Sequence, residues 1–329
     1  MKRFAPFIAV LFAASCQTTS SPEQIVSQKY VHKYGFDLTA EEWDQRLQDG
    51  QVIATLKNGV TLIQTYENGN LHGPTTSTFP NSPTVEKILL YDQGNLLKET
   101  IQDMHGVPIQ EEVYEFDDRV IHTSWSDKGT PLSVEEYRGK LLVDGKYYSL
   151  DHDLEGRVEN GHGHRAKRDR FGLLISRDQI ENGILASRTT YHPNGQIHTI
   201  SHYDDYALHG DQKKFTSLGR PLMTLHWDHG ILDGTKTVYR NGLKVAEIPY
   251  VQGKKHGIEY HYDDLANLIA EITWRNDKKH GCSKFYTEDS EETRWFFDNL
   301  TVSSAKFELL ENRERMIAEF KQADNFFDE

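Results

Sequence analysis

Hydrophobic residues and positive charge are both scarce in this sequence of 329 residues. Hydrophobic residues make up 37% of it and the mean hydropathy is −0.67, which is little apolar material for a thick, closed core in a chain of this length. Lysine and arginine number 37 against 50 acidic residues, and the net charge of −13 argues against binding nucleic acid or anionic lipid surfaces. These shortages favour a thin or elongated fold.

Aromatic residues, in contrast, are plentiful and regularly spaced. They make up 11% of the chain, and one residue, here called the anchor, recurs every 21–25 positions. The ten anchors are Tyr66, Tyr91, Tyr114, Tyr137, Val158, Ile180, Tyr203, Trp227, Tyr250 and Trp274. Eight of the ten are aromatic, which chance does not give at this abundance. The sequence therefore predicts about ten repeats over residues 51–300.

Glycine spacing and alternation indicate the fold of each repeat. In most repeats glycine stands eight residues before the anchor, three after it or seven after it, as turns with positive φ require. Between glycines, apolar and polar residues alternate, as in residues 221–227 (PLMTLHW), a pattern typical of a strand with one buried face. We therefore expect an all-β fold, an elongated single-layer antiparallel meander of hairpin repeats with short N- and C-terminal helices.

The repeat resembles a known family. The run Tyr-x-x-Gly-x-x-His-Gly-x4-Tyr that begins at Tyr250 resembles the MORN repeat, and the wider unit with a second glycine is similar to its bacterial variant. The resemblance extends over residues 191–286 and 66–73. It implies hairpin repeats and a protein-binding or scaffolding role without catalytic residues. Because proteins with this variant include envelope proteins and antitoxin-like proteins, neutralisation of a toxin partner is the alternative function.

The N-terminus has the features of an export signal. A positive start and a short apolar run precede residues 13–16 (AASC), which resemble the lipobox of bacterial lipoproteins. The resemblance implies removal of residues 1–15, lipid attachment at Cys16 and, because Gln17 follows, location at the outer membrane. The alternative is an ordinary cleaved signal peptide. Membrane contact is then expected through the lipid anchor only.

Three further segments flank the array. Residues 16–36 are predicted to be the anchor and a tether. Residues 37–50 are predicted to be a short helix, because Thr39 and Glu42 have capping-box spacing. Residues 301–329 are predicted to be a C-terminal helix that packs against the aromatic face or closes the last hairpin, followed by a frayed tail.

Sixteen histidines raise the possibility of a metal site. Equivalent positions of neighbouring hairpins lie about 9–10 Å apart, too far for two ligands of one zinc ion. His209, His256 and His280 therefore cannot share an ion, and Asp233 takes the same position in the repeat between the first two. We predict no metal and no cofactor, and we predict that the glycines after this position are structural turn residues: Gly73, Gly210, Gly234, Gly257 and Gly281.

One basic segment stands out in the acidic chain, at residues 159–170 (ENGHGHRAKRDR). It falls within residues 140–185, where the repeat is least regular, which suggests an exposed loop. Its basic residues are candidate contacts for an acidic partner: Arg165, Lys167, Arg168 and Arg170. A solvated charged loop is the alternative. His162 and His164, with His152 nearby, could bind a metal, but no fourth ligand is evident.

Catalytic motifs are missing from the sequence. It contains no Gly-x-Ser-x-Gly, no His-Glu-x-x-His and no phosphate-binding glycine loop. A hydrolase within residues 140–185 is a remaining alternative. We therefore expect a non-enzymatic, lipid-anchored protein of the bacterial cell envelope that binds an unidentified protein or peptide.

Overall fold

The computed structural model describes residues 25–325, so Cys16 and the predicted signal segment lie outside the described residues. The chain divides into two compact units, of which the first ends at Gly129 and the second begins at Thr130. Within each unit, strands that follow one another in the sequence pair antiparallel. The predicted all-β class, with a helix near each end of the described chain, is therefore confirmed.

The strands of both units follow the chain in order. The first unit contains β1 (Ile25–His32), β2 (Asp37–Leu38), α1 (Ala40–Gln45), β3 (Gly50–Leu56), β4 (Thr61–Glu67), β5 (Asn70–Leu71), β6 (Gly73–Thr78), β7 (Val85–Asp92), β8 (Asn95–Gln102), β9 (Pro108–Tyr114) and β10 (Arg119–Trp125). The second contains β11 (Pro131–Arg138), β12 (Leu141–Tyr148), β13 (Leu154–Glu159), β14 (His162–Arg168), β15 (Leu174–Glu181), β16 (Ile184–Tyr191), β17 (Ile197–Asp204), β18 (Ala207–Leu208), β19 (Gly210–Phe215), β20 (Pro221–Asp228), β21 (Ile231–Leu232), β22 (Gly234–Arg240), β23 (Leu243–Val251), β24 (Lys254–Lys255), β25 (Gly257–Tyr262), β26 (Leu268–Arg275), β27 (Lys278–Lys279), β28 (Gly281–Tyr286), β29 (Glu291–Phe297), β30 (Leu300–Val302) and α2 (Ser304–Asn325).

Strand β1 lies within the segment predicted to be a tether. It pairs with β3 from Ile25 to His32, so the sheet begins earlier than residue 51. The buried indole of Trp43 explains why β1 joins the sheet. Its ring packs on Tyr30 of β1 at a centroid distance of 5.5 Å and on Tyr66 of β4 at 5.9 Å. The aromatic contact fixes the first strand against the first repeat.

Helix α1 is shorter than the predicted span of residues 37–50. It begins at the predicted capping box, in which the Thr39 hydroxyl accepts from the backbone NH of Glu42 and the Glu42 carboxylate accepts from that of Thr39. Two residues with positive φ follow soon after its C-terminal end, and an α-helix cannot continue through that conformation. The helix therefore covers six residues.

The hairpin turns explain the glycine three residues after the anchor. In the turn at residues 228–231, His229 and Gly230 have φ values of 44° and 85°. Gln252 and Gly253 repeat this with 48° and 78°. Two central residues with positive φ match the right-handed twist of the flanking strands. Glycine reaches this conformation without a Cβ clash, and so it recurs at the second central position.

The glycine seven residues after the anchor lies in a β-bulge and not in the turn itself. The register of β20 shifts by two residues between its pairing with β21 and its pairing with β22. Residues 233–236 therefore stand opposite only two residues of β20, so the second strand of the hairpin contains two extra residues. The bulge glycines all have positive φ: Gly73, Gly210, Gly234, Gly257 and Gly281. The bulge divides the second strand, which is why the strands outnumber the two per repeat that we predicted.

The most buried cluster of the second unit lies where the sequence repeat fades. Its centre is Tyr147, which is 0% exposed. Gly145 and Gly156 make room for this ring, since a Cβ at Gly145 would lie 2.5 Å from the tyrosine hydroxyl. The cluster consists of Leu142, Tyr147, Val158, Ala166 and Ile180. The repeat pattern fades here because the packing changes, while the hairpins continue.

Helix α2 packs on the last hairpin, as predicted. Phe307 lies against Trp295 of β29, with ring centroids 5.1 Å apart. Arg275 of β26 binds Glu311 of the helix at 2.9 Å. Helix α2 is thus held on the last hairpins by an aromatic contact and an ion pair.

Candidate functional site

Successive turns of the second unit are stacked along one edge of its sheet. The backbone NH of Gly230 donates to the carbonyl of Leu208 at 2.7 Å, and that of Gly253 donates to Leu232 at 2.8 Å. We call the turns at residues 204–207, 228–231 and 251–254 the turn ladder. Because these bonds hold each turn against the preceding repeat, side chains one repeat apart can meet there.

The residue before the bulge glycine reaches the next turn. His209 Nδ1 lies 3.4 Å from Asp228 Oδ1, and His256 Nδ1 lies 3.4 Å from Asn276 Oδ1. Asp233 occupies the same position and accepts from a backbone NH of the next turn at 3.3 Å. This position is therefore a bridge between consecutive turns, and either histidine or aspartate can form it.

Two imidazoles and two carboxylates lie close together between the turns at residues 204–207 and 228–231. The rings of His209 and His229 lie 4.6 Å apart. Asp228 Oδ1 lies 2.6 Å from His229 Nδ1, and Asp204 Oδ2 lies 3.3 Å from His229 Nε2. Between residues 25 and 325, His209, Asp228 and His229 are the one group of three such side chains whose ligand atoms lie within 4.8 Å of one another. We call these three residues with Asp204 the histidine cluster.

The electrostatics of the histidine cluster follow from its hydrogen bonds. The hydrogen bond that Asp228 accepts from the His229 imidazole raises the pKa of that imidazole above its ordinary value. The same bond lowers the pKa of the Asp228 carboxyl. All four side chains are open to solvent, with exposed fractions between 45% and 62%. The cluster is therefore accessible to a small ligand.

The basic segment is a strand and not the exposed loop that we predicted. Strand β14 pairs with β15 over six residues, so the prediction of a loop is wrong. His162 and His164 are exposed on this strand. Arg165 is only 9% exposed, because it binds Asp178 within the sheet at 2.7 Å.

The other predicted contact residues differ in their surroundings. Arg168 is held by two hydrogen bonds to the Glu155 carboxylate, at 2.8 and 2.7 Å. Arg170 is partly exposed and lies over the ring of Phe171. Lys167 is exposed. A partner contact through this segment stays a prediction, and it now rests mainly on Lys167.

Arg165 belongs to a buried ionic network that crosses three strands. Arg165, Asp178 and Arg188 stand opposite one another on β14, β15 and β16. The Asp178 carboxylate accepts four hydrogen bonds from the two guanidinium groups, at 2.7–2.9 Å. Burial alone would raise the pKa of Asp178, but the hydrogen bonds and charges of the two arginines outweigh burial and hold it below its ordinary value. Glu135 adds a second carboxylate, which accepts from the hydroxyl of Tyr147 at 2.8 Å.

A row of polar side chains crosses the other hairpins of the second unit. Glu247, Tyr260, Glu271 and Lys284 stand opposite one another on four successive long strands. All four are partly exposed, whereas the alternate residues Ala246 and Ile248 of β23 are buried. We call this set the polar row. Tyrosines of the neighbouring positions donate to its glutamates, as Tyr262 does to Glu247 at 2.8 Å.

Comparisons with known proteins give no family for the chain. No protein-family model and no curated protein matches it. The crystal structure of TcdB2-TccC3-Cdc42 is 13% identical with a TM-score of 0.18, over 72% of this chain and 16% of that one. BamB from Moraxella catarrhalis is 9% identical with a TM-score of 0.16, over 76% and 82%. This chain thus spans 16% of the first structure, and similarities this low support no argument about function. In the described part of the chain, no helix has the length and apolar character to cross a membrane.

Proposed function

We propose that this chain is a binding module that holds another protein along the polar row, and that a lipid on Cys16 attaches it to the bacterial cell envelope. The supporting observation is the accessibility of the sheet. All four residues of the polar row are partly exposed, on β23, β25, β26 and β28, so no second layer seals the face of the sheet that carries the row. An open sheet of repeats offers broad surfaces for a macromolecular partner.

The polar row suits a protein partner by its chemistry. Its charged side chains are each held by a neighbour and so present ordered charges. Lys244 binds Glu247 at 3.0 Å, the Tyr286 hydroxyl donates to Glu271 at 3.2 Å, and Glu291 binds Lys284 at 2.9 Å. Tyrosine beside them adds apolar contact area and a hydrogen-bonding hydroxyl, a combination that is enriched at protein interfaces. The MORN-type identity of the repeat is part of this proposal, which rests on the motif at residues 250–262.

Photo-crosslinking tests the binding proposal. With a benzophenone amino acid in place of Tyr260, we expect irradiated cells to give one dominant adduct of defined mass. The control is the same replacement of Tyr206, which is 57% exposed but lies in the turn ladder. Equal adduct patterns at Tyr260 and Tyr206, or no adduct at Tyr260, would reject the polar row as the binding surface. Mass spectrometry of the adduct would distinguish an envelope protein from a toxin.

Lipid attachment has its own test. Cys16→Ser is expected to abolish incorporation of labelled palmitate and to move the protein from the membrane fraction to the soluble fraction. The control is Cys282→Ser, because Cys282 is the only other cysteine in the sequence. Palmitate labelling that persists in Cys16→Ser would contradict the anchor, whatever the crosslinking experiment shows.

A further inference from the structure

We infer that the histidine cluster is a binding site for a divalent transition metal such as Zn²⁺, bound by His209, His229 and Asp228. The three residues already place one possible ligand atom each within 4.8 Å of the others. Ligand atoms around a tetrahedral zinc ion are about 3.3–3.5 Å apart. The separation of His209 Nδ1 from Asp228 Oδ1 is 3.4 Å, which meets this requirement without movement.

The second pair of ligands needs a small adjustment. His229 Nδ1 and Asp228 Oδ1 are 2.6 Å apart, the distance of a hydrogen bond. A metal ion would replace the hydrogen between them and move the two atoms apart by somewhat less than 1 Å. Both side chains are more than half exposed, so rotation about their side-chain torsions can supply this movement. Binding would release the imidazole proton to solvent.

Asp204 is placed to orient the His229 ligand. Its carboxylate lies 3.3 Å from His229 Nε2, the nitrogen on the far side of the ring. Imidazoles that bind metals through one nitrogen commonly donate the hydrogen of the other to a carboxylate, which fixes the tautomer and the ring orientation. In this arrangement Nδ1 is the nitrogen left for the metal.

The backbone fixes the positions from which these side chains extend. His229 is a central residue of its hairpin turn, with φ of 44°, and Asp228 precedes it in the same turn. The hydrogen bond from Gly230 to Leu208 holds that turn against the short strand that leads to His209. The ligands therefore come from two repeats whose relative position is set by the turn ladder.

His209 and His229 are not separated by the distance that keeps equivalent histidines from sharing an ion. Equivalent positions of neighbouring repeats are two strands apart. His209 lies before a bulge glycine and His229 lies in the next turn, so the two are not equivalent and their rings approach to 4.6 Å. Two imidazoles with one carboxylate favour zinc, copper or nickel over magnesium or calcium. The fourth position is left to water.

Metal titration tests the site directly. Untagged full-length protein, freed of metal with a chelator, is titrated with Zn²⁺ by calorimetry and with Co²⁺ by visible absorption. We expect one saturable site per chain, and a cobalt spectrum of tetrahedral type. His209→Gln and His229→Gln should each weaken binding by about tenfold or more, and Asp204→Asn by about 10–100-fold.

The matched control is His256→Gln. This histidine stands at the same bulge position as His209, but its neighbour in the next turn is Asn276, and residues 275–278 of that turn include no histidine. The His256→Gln variant should leave the affinity for Zn²⁺ unchanged. Circular dichroism spectra recorded in chelator should be the same for all variants. The inference is overturned if no saturable binding occurs, or if the double variant His209→Gln/His229→Gln binds Zn²⁺ as tightly as the unsubstituted protein.

Discussion

Asp178→Asn is expected to lower the free energy of unfolding of the second unit by about 3–5 kcal/mol. The Asp178 side chain is 0% exposed, and that of Arg165 is 10% exposed. Asparagine keeps the volume of the side chain but removes the negative charge that faces Arg165 and Arg188. A buried cation without its counter-charge keeps the cost of desolvation and loses the attraction that offset it. Glu135, 3.6 Å from Arg165, compensates only in part.

Hydrogen exchange measured by mass spectrometry can locate this effect. Strands β14, β15 and β16 should lose protection in Asp178→Asn, and the urea midpoint of the second unit should fall. Asp264→Asn is the matched control, because Asp264 pairs with Arg240 at 3.7 Å and its side chain is 79% exposed. An exposed pair of this kind contributes little to stability. Equal urea midpoints for the two variants would contradict a stabilising role of the network.

The same network predicts how stability depends on pH. The pKa of Asp178 is lower in the folded protein than its ordinary value, which is about 3.9. The contribution of this group is therefore fully present above about pH 4 and is lost as the pH falls through the folded-state pKa. Asp178→Asn should accordingly destabilise the protein most near neutrality and less in acid.

The hairpin repeats could be predicted because each depends on residues that are close in the sequence. A turn glycine such as Gly230 and the alternation in β20 act within one hairpin, so spacing and period reveal them. Glycine spacing alone predicts a turn at Gly234, because a turn and a bulge both need positive φ. Only the pairing of the strands, with its shift of two residues, separates the two.

The sites could not be predicted because they depend on residues one strand or one repeat apart. Arg165, Asp178 and Arg188 meet through the register of three strands, which no local pattern specifies. From the sequence alone, a run of basic residues therefore predicts an exposed loop. His209 and His229 meet through the stacking of turns. The sequence does contain one sign of this histidine pair. His229 is a histidine at a turn position that Asp205 and Gln252 occupy in the adjacent repeats.

Gly257→Val is expected to destabilise the second unit by about 3–5 kcal/mol, through two separate effects. Gly257 has φ of 109°, a conformation that a β-branched residue adopts only with strain. A Cβ at this position would also lie 3.2 Å from the side chain of Pro249 on the neighbouring strand. Both effects act where β25 resumes its pairing after the bulge, so we expect β25 and β26 to lose protection from hydrogen exchange.

Two further variants separate these effects and test the role of the histidine. Gly242 has φ of 87°, but a Cβ there would meet no atom within 4 Å. Gly242→Val therefore adds backbone strain without a clash and should lower the free energy of unfolding by only about 1–3 kcal/mol. His256→Asp should change stability by less than about 0.5 kcal/mol, because Asp233 already bridges to the next turn from the same position in the preceding repeat. The urea midpoint of unfolding should therefore be lowest for Gly257→Val, higher for Gly242→Val and highest for His256→Asp. If His256→Asp is as damaging as Gly257→Val, the imidazole has a specific role that a bridging carboxylate cannot replace, and the bulge does not depend on glycine alone.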